Sequence, residues 1–164
     1  MQIKLPLDVY YSKKKKFILN LNNYRNAHYR VLSTAKKIYS EDLVEKIQDL
    51  PKFSEPVRLT YTYYARSNRR LDISNPCSVI DKFACDALVK AGIIQDDDFK
   101  QVKEVVYKFG GVDKDDPRCE LVVDIFLGVP VRTLFISSCL STSEAVVCWP
   151  VIVLSAVFKT SEDI

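Results

Sequence analysis

The sequence predicts an α+β fold, a small domain in which helices cover one face of a mixed β-sheet. Three observations predict it. Two long segments repeat their apolar residues with helical spacing, several shorter ones carry the alternating or β-rich pattern of strands, and the two kinds interleave in the order β(β)αβαββ. The 164 residues are 48% hydrophobic and 27% charged, a balance that supports a buried core and excludes a disordered chain.

Residues 2–11 and 17–21 read as short strands on either side of Lys13, Lys14, Lys15 and Lys16, which places that run on a hairpin tip. From residue 26 to residue 50 the pattern turns helical, with Ala27, Val31, Ala35, Ile38, Leu43 and Ile47 spaced by three to five and Pro51 as the stop. Residues 57–65 alternate and are rich in tyrosine, threonine and valine, hence a strand. The helix that follows is the best marked. Asn75 is a suitable N-cap, Pro76 suits the first helical position, and Gly92 a C-terminal stop. Val79, Ile80, Phe83, Ala84, Ala87, Leu88 and Ala91 fall on one face, while Ser78, Lys82 and Asp86 line the opposite flank. Strands over 103–110 and 119–127 close the domain, joined by a polar loop over 110–117.

The folded domain is expected over 1–128, with 129–164 an apolar appendage of unassigned role. Ser141, Thr142, Ser143, Glu144 and Pro150 interrupt that tail. A membrane span needs roughly 20 apolar residues, so no anchor is expected. No signal peptide is recognisable at the N-terminus, and the five cysteines form no Cys-x-x-Cys pair. With one histidine, a Cys/His zinc site is improbable, and reduced thiols in a cytoplasmic protein are expected.

Charge is unevenly distributed. Residues 1–70 hold 15 Lys and Arg against 6 Asp and Glu, whereas residues 71–164 hold 9 against 15. A basic half suits a phosphate backbone, and an acidic half concentrates carboxylates. Six aspartates fall between residues 72 and 98: Asp72, Asp81, Asp86, Asp96, Asp97 and Asp98. Carboxylates are the ligands of Mg²⁺, which takes one or two of them together with waters and substrate phosphate. A cation such as Lys82 beside them would stabilise the charge that develops in phosphodiester hydrolysis. Each residue also has a structural reading. Asp72 suits a turn or cap, Lys82 and Asp86 an i,i+4 ion pair, and the Asp96, Asp97, Asp98 triplet a solvated turn. His28 is expected to be structural, in a tract whose mixture of aromatic, amide and basic groups suits nucleic acid.

The window 69–99 resembles the signature of the RusA-type Holliday-junction resolvases of bacteriophages and prophages. Arg69-Arg70 precede Asp72-Ile73-Ser74-Asn75, Lys82 stands four residues before Asp86-Ala87-Leu88, and Gly92 and Asp96-Asp97 follow. Asn22-Asn23-Tyr24-Arg25 resembles the family's Asn-rich opening. The resemblance implies a homodimeric endonuclease that needs Mg²⁺ or Mn²⁺, binds branched DNA (four-way junctions) and uses no small-molecule cofactor. It implies Asp72 and Asp97 as metal ligands, Lys82 as the catalytic lysine, and phosphate contacts from Lys13, Lys14, Lys15, Lys16, Arg25, Arg69 and Arg70. Two departures stand out. Ser74 occupies the place of the family's second aspartate, and about four extra residues, close to one helical turn, separate Asn75 from Lys82. Asp81 is the expected replacement ligand, with Asp86 second. The alternative is a protein that binds branched DNA without cutting it, disarmed by the missing carboxylate. For Asp72 and Asp97 to share an ion, the chain after Gly92 must fold back beside the start of the helix.

Overall fold

A computed structural model describes residues 1–127. The appendage expected over 129–164, with Cys139 and Cys148, lies outside the described residues. Nine elements follow one another: β1 (Gln2–Leu5), β2 (Asp8–Ser12), β3 (Lys15–Ile18), α1 (Leu21–Asn26), α2 (Tyr29–Ile47), β4 (Val57–Ala65), α3 (Ser74–Lys90), β5 (Val102–Val112) and β6 (Arg118–Ile125). The result is a small mixed α+β domain.

The main sheet has the order β1-β6-β4-β5. β6 runs antiparallel to β1 and β4, while β4 and β5 are parallel. A parallel pair cannot be closed by a tight turn, and α3 provides the crossover between them. On the helix side, Ile3, Leu121, Tyr61 and Tyr107 stand opposite one another as a row across the whole sheet. The first three are buried and Tyr107, on the edge strand, is half-buried. Even-numbered residues of β1 and β4, such as Gln2, Lys4 and Arg58, point to the other, wetter face. Alternation in β4 therefore records a sheet covered on one side, as its sequence implies.

The expected strand over 2–11 is interrupted by Pro6 and Leu7, so β1 joins the main sheet while β2 pairs with β3 as a separate hairpin. Lys13 and Lys14 form its turn, whereas Lys15 and Lys16 belong to β3. The helix expected over 26–50 begins later, because Ala27 and His28 separate a short α1 from α2. Asn20 caps α1 by accepting the Asn23 N–H at 2.8 Å. His28 caps α2 through Nδ1, which accepts the Arg30 N–H at 3.3 Å, in line with its structural reading.

Phe83 of α3 is the common anchor of the helical layer. It is 1% exposed, and its ring meets Phe17 of β3 and Tyr24 of α1 at 6.4 Å each and Tyr39 of α2 at 5.5 Å. At the far end, α3 closes as its glycine implies. Gly92 takes φ +68°, its N–H bonds the Val89 carbonyl, and the Ile93 N–H bonds the Leu88 carbonyl. That pair of bonds is a Schellman closure, and it turns the chain back towards the sheet. Ile93 and Ile94 are buried on the return, and buried Gln101 fastens it by donating to the carbonyls of Phe53 and Glu55.

Candidate functional site

The start of α3 differs from its expected form. Asn75 is not the N-cap and Pro76 is the third helical residue. The Asn75 side chain accepts the N–H of Leu21 at 3.0 Å, tying α1 to α3. Ile73 holds the N-cap position without a side-chain cap, and the Asp72 carboxylate, one residue earlier, serves the first helical residue instead. Its Oδ1 accepts the Ser74 N–H at 3.0 Å and the Ser74 hydroxyl at 2.7 Å. A carboxylate there satisfies an amide left open by the helix start and complements the positive end of the helix dipole.

Farther along, Ser78, Asp81, Lys82 and Cys85 occupy spacings of three and four residues, hence one flank of the helix. Together with Asp97, Val102 and Val105 they line a shallow depression of about 250 Å³. The chain does fold back after Gly92, and it brings Asp97 to the middle of α3 rather than to its start. Asp72 does not line this depression. At 1.5 Å per residue, the seven positions from Ser74, the first residue of α3, to Asp81 already correspond to about 10 Å along the helix, and Asp72 lies before that start.

The three members of the acidic triplet have different roles. Asp96 Oδ1 accepts the N–H of Asp97 at 2.8 Å. Asp98 Oδ1 accepts the N–H groups of Lys100 and Gln101 at 2.9 and 3.0 Å, building the turn into β5. Asp97 keeps an exposed carboxylate that borders the depression. Asp86 faces away and forms an ion pair with Lys36 of α2, so the suggested Lys82–Asp86 pair does not form. Among the described residues no ion pair engages Lys82 or Asp97, which leaves both charges open to a ligand.

Asp81 is held from below. Its Oδ2 accepts the Tyr107 hydroxyl at 3.1 Å, and its Oδ1 accepts the Cys85 thiol at 3.3 Å. Cys85 in turn lies 3.9 Å from the Tyr61 hydroxyl. Burial, followed by the negative charge of Asp81, pushes the Cys85 thiol and the Tyr107 phenol well up, and burial does the same to Tyr61. Cys85 and Tyr107 are the donors to Asp81. Sequence reasoning named Asp81 but missed Tyr107 and Cys85, because neither sits near a motif and their meeting depends on strand register.

The open side of the depression offers hard oxygen donors, the Asp81 and Asp97 carboxylates and the Ser78 hydroxyl. Two carboxylates fit Mg²⁺ or Mn²⁺ bound with waters and a phosphate. Among the described residues, no group of three His, Cys, Asp or Glu side chains is placed to hold a metal ion.

The cationic residues are exposed, as a phosphate-binding role requires. Lys13, Lys14 and Lys15 project from the hairpin, Arg25 lies in the last turn of α1, and Arg69 and Arg70 lie in the segment before α3. Lys16 is partly neutralised by Asp8 at 2.9 Å. Lys16 and Arg66 line one cleft of about 390 Å³ between the hairpin and the start of α3. Tyr29, 67% exposed and flanked by His28 and Arg30, adds an aromatic face near the start of α2.

No family model matches the chain, and no curated protein matches it. No helix among the described residues is long and apolar enough to cross a membrane.

Proposed function

We propose that this chain is a divalent-metal-dependent endonuclease acting on branched DNA, with the four-way junction as substrate and a homodimer as the working form. The observation that carries the reading is the depression on α3, where two carboxylates from separate stretches of chain stand beside a lysine free of ion pairing. Asp81 and Asp97 would hold Mg²⁺ or Mn²⁺, and Lys82 would face the charge that builds on the phosphate. When bound, the ion supplies an activated water and stabilises the leaving oxygen. The exposed lysines and arginines of residues 13–70 supply the grip on the backbone, and the RusA-type motif supports the junction as substrate. Two symmetric cuts across a junction call for two sites related by a two-fold axis.

Asp72 has a smaller part here than the motif implies, since its carboxylate serves the first residue of α3. This favours a second reading, in which the chain binds branched DNA without cutting it. A labelled four-way junction separates the two. Mg²⁺-dependent cleavage that disappears in Asp81→Asn and Asp97→Asn supports the nuclease. Cleavage that persists in chelator refutes it, and metal-independent binding without any cleavage selects the second reading.

A further inference from the structure

We infer that Tyr107 and Cys85 are positioning residues for the metal site, holding the Asp81 carboxylate so that its remaining lone pairs open towards Asp97. The inference rests on the metal-binding reading of the depression and adds to it the part of the sheet that governs ion affinity.

An ionised carboxylate has about four lone-pair sites. Tyr107 and Cys85 occupy one on each oxygen of Asp81, at 3.1 and 3.3 Å, and they arrive from β5 and from the next turn of α3. With both oxygens engaged, rotation of the carboxylate about its terminal bond is restricted. Asp81 lines the same depression as Lys82 and Asp97, so the lone pairs left free are available to a ligand bound there. Both donors are themselves fixed. Cys85 is 7% exposed and lies against buried Tyr61, while the Tyr107 ring packs edge-on against Tyr61 at 5.8 Å. Tyr61 and Tyr107 are register partners on β4 and β5, so the position of Asp81 is set by the parallel strand pair and not by the helix alone.

A network serving only to join helix to sheet would close on a buried partner. This one ends on a half-exposed carboxylate at the rim of a depression holding a second carboxylate and a cation. Partners that orient metal-binding carboxylates tune affinity without touching the ion.

The test measures Mn²⁺ binding to the full chain without DNA, by the electron paramagnetic resonance signal of free Mn²⁺. Tyr107→Phe keeps the ring and removes the donor, and it is expected to weaken Mn²⁺ binding by about 10-fold or more. Cys85→Ala is expected to weaken it similarly, while Cys85→Ser, which retains a donor, restores most of the affinity. Junction binding measured in chelator should stay unchanged in all three, a separation that general loosening of the fold would not produce. If Tyr107→Phe binds Mn²⁺ as tightly as the parent while Asp81→Asn loses it, the ion site stands and the positioning role is overturned. If the parent chain binds no Mn²⁺, or Asp81→Asn binds it undiminished, the metal reading and this inference fall together.

Discussion

Replacing Phe83 by alanine tests whether one side chain carries the packing of the helical layer. The ring is 1% exposed and touches aromatic partners on three other elements: Phe17 of β3, Tyr24 of α1 and Tyr39 of α2. Truncating a buried phenylalanine costs about 3–5 kcal/mol, through lost transfer energy and the cavity left behind. Aromatic pairs contribute about 0.5–1.5 kcal/mol each beyond burial, and here several partners lose their contact at once. The neighbours come from three different elements and cannot collapse together into the space. A loss of about 4–5 kcal/mol, in the upper half of the range, is therefore expected. Urea unfolding followed by circular dichroism reads it as a lower midpoint with an unchanged slope. Phe83→Leu, which refills much of the volume, should lose about 1–2 kcal/mol. A loss below about 1.5 kcal/mol for the alanine variant would show that the layer is held elsewhere and refute the anchor argument.

Other outcomes follow from the charges. Lys82→Ala should lower the cleavage rate by about 10²–10³-fold while leaving junction affinity in place, and equal losses in both would make Lys82 a binding residue instead. If Lys13, Lys14, Lys15, Arg25, Arg69 and Arg70 each neutralise one phosphate, the logarithm of junction affinity should fall with the logarithm of salt at a slope of about −5. Substituting Lys13, Lys14 and Lys15 by alanine should reduce that slope by about 3 in fluorescence anisotropy titrations, and an unaltered slope would remove the hairpin from the interface. Stability should also respond to alkali. Burial raises Tyr61 and Cys85 above their ordinary values of 10.0 and 9.0, and hydrogen bonding to Cys77 together with burial raises Cys119. The folded state binds these protons more tightly than the unfolded one, so their stabilisation is complete below about pH 9 and declines as pH rises beyond it. The urea midpoint should drop as pH rises from about 9 to about 11, and a midpoint that stays level would contradict the assignment.

What could be read in advance followed from periodicity. The buried face of α3 holds Val79, Ile80, Phe83, Ala84, Ala87 and Leu88, the residues that its spacing selects, and β4 alternates as expected. Gly92 stops the helix because only a positive φ turns the chain there. Boundaries governed by side-chain hydrogen bonds were less legible. Asn75 and Asp72 are both good caps, and the Leu21 amide, 54 residues away in sequence, draws Asn75 off to α1. The interruption at Ala27 and His28 has the same kind of cause, since the short-range His28 cap creates a boundary that apolar spacing does not record. Within the candidate site, the return of Asp97 to α3 required a fold that local sequence does not specify. The Tyr107 contact required the register of a parallel strand pair, which involves residues about 46 positions apart.

Asp72 and Asp81 differ in what explains them. Asp72 has a sufficient local cause, because a carboxylate at a helix start caps an open amide and meets the helix dipole whether or not the helix does chemistry. Its presence in a motif therefore discriminates weakly between ligand and cap. Asp81 has no such local cause. Aspartate is a poor residue in the interior of a helix, and this one is the eighth residue of α3, far from either end. Its position is stabilised by donors from β5 and from α3 itself, and it lines one depression with a second carboxylate and a lysine. Where local propensity opposes a residue and tertiary contacts hold it in place, its chemistry is the better explanation. On the proposed metal-dependent reading, Asp81 is therefore the carboxylate to pair with Asp97, where the resembling motif has Ser74 in this chain.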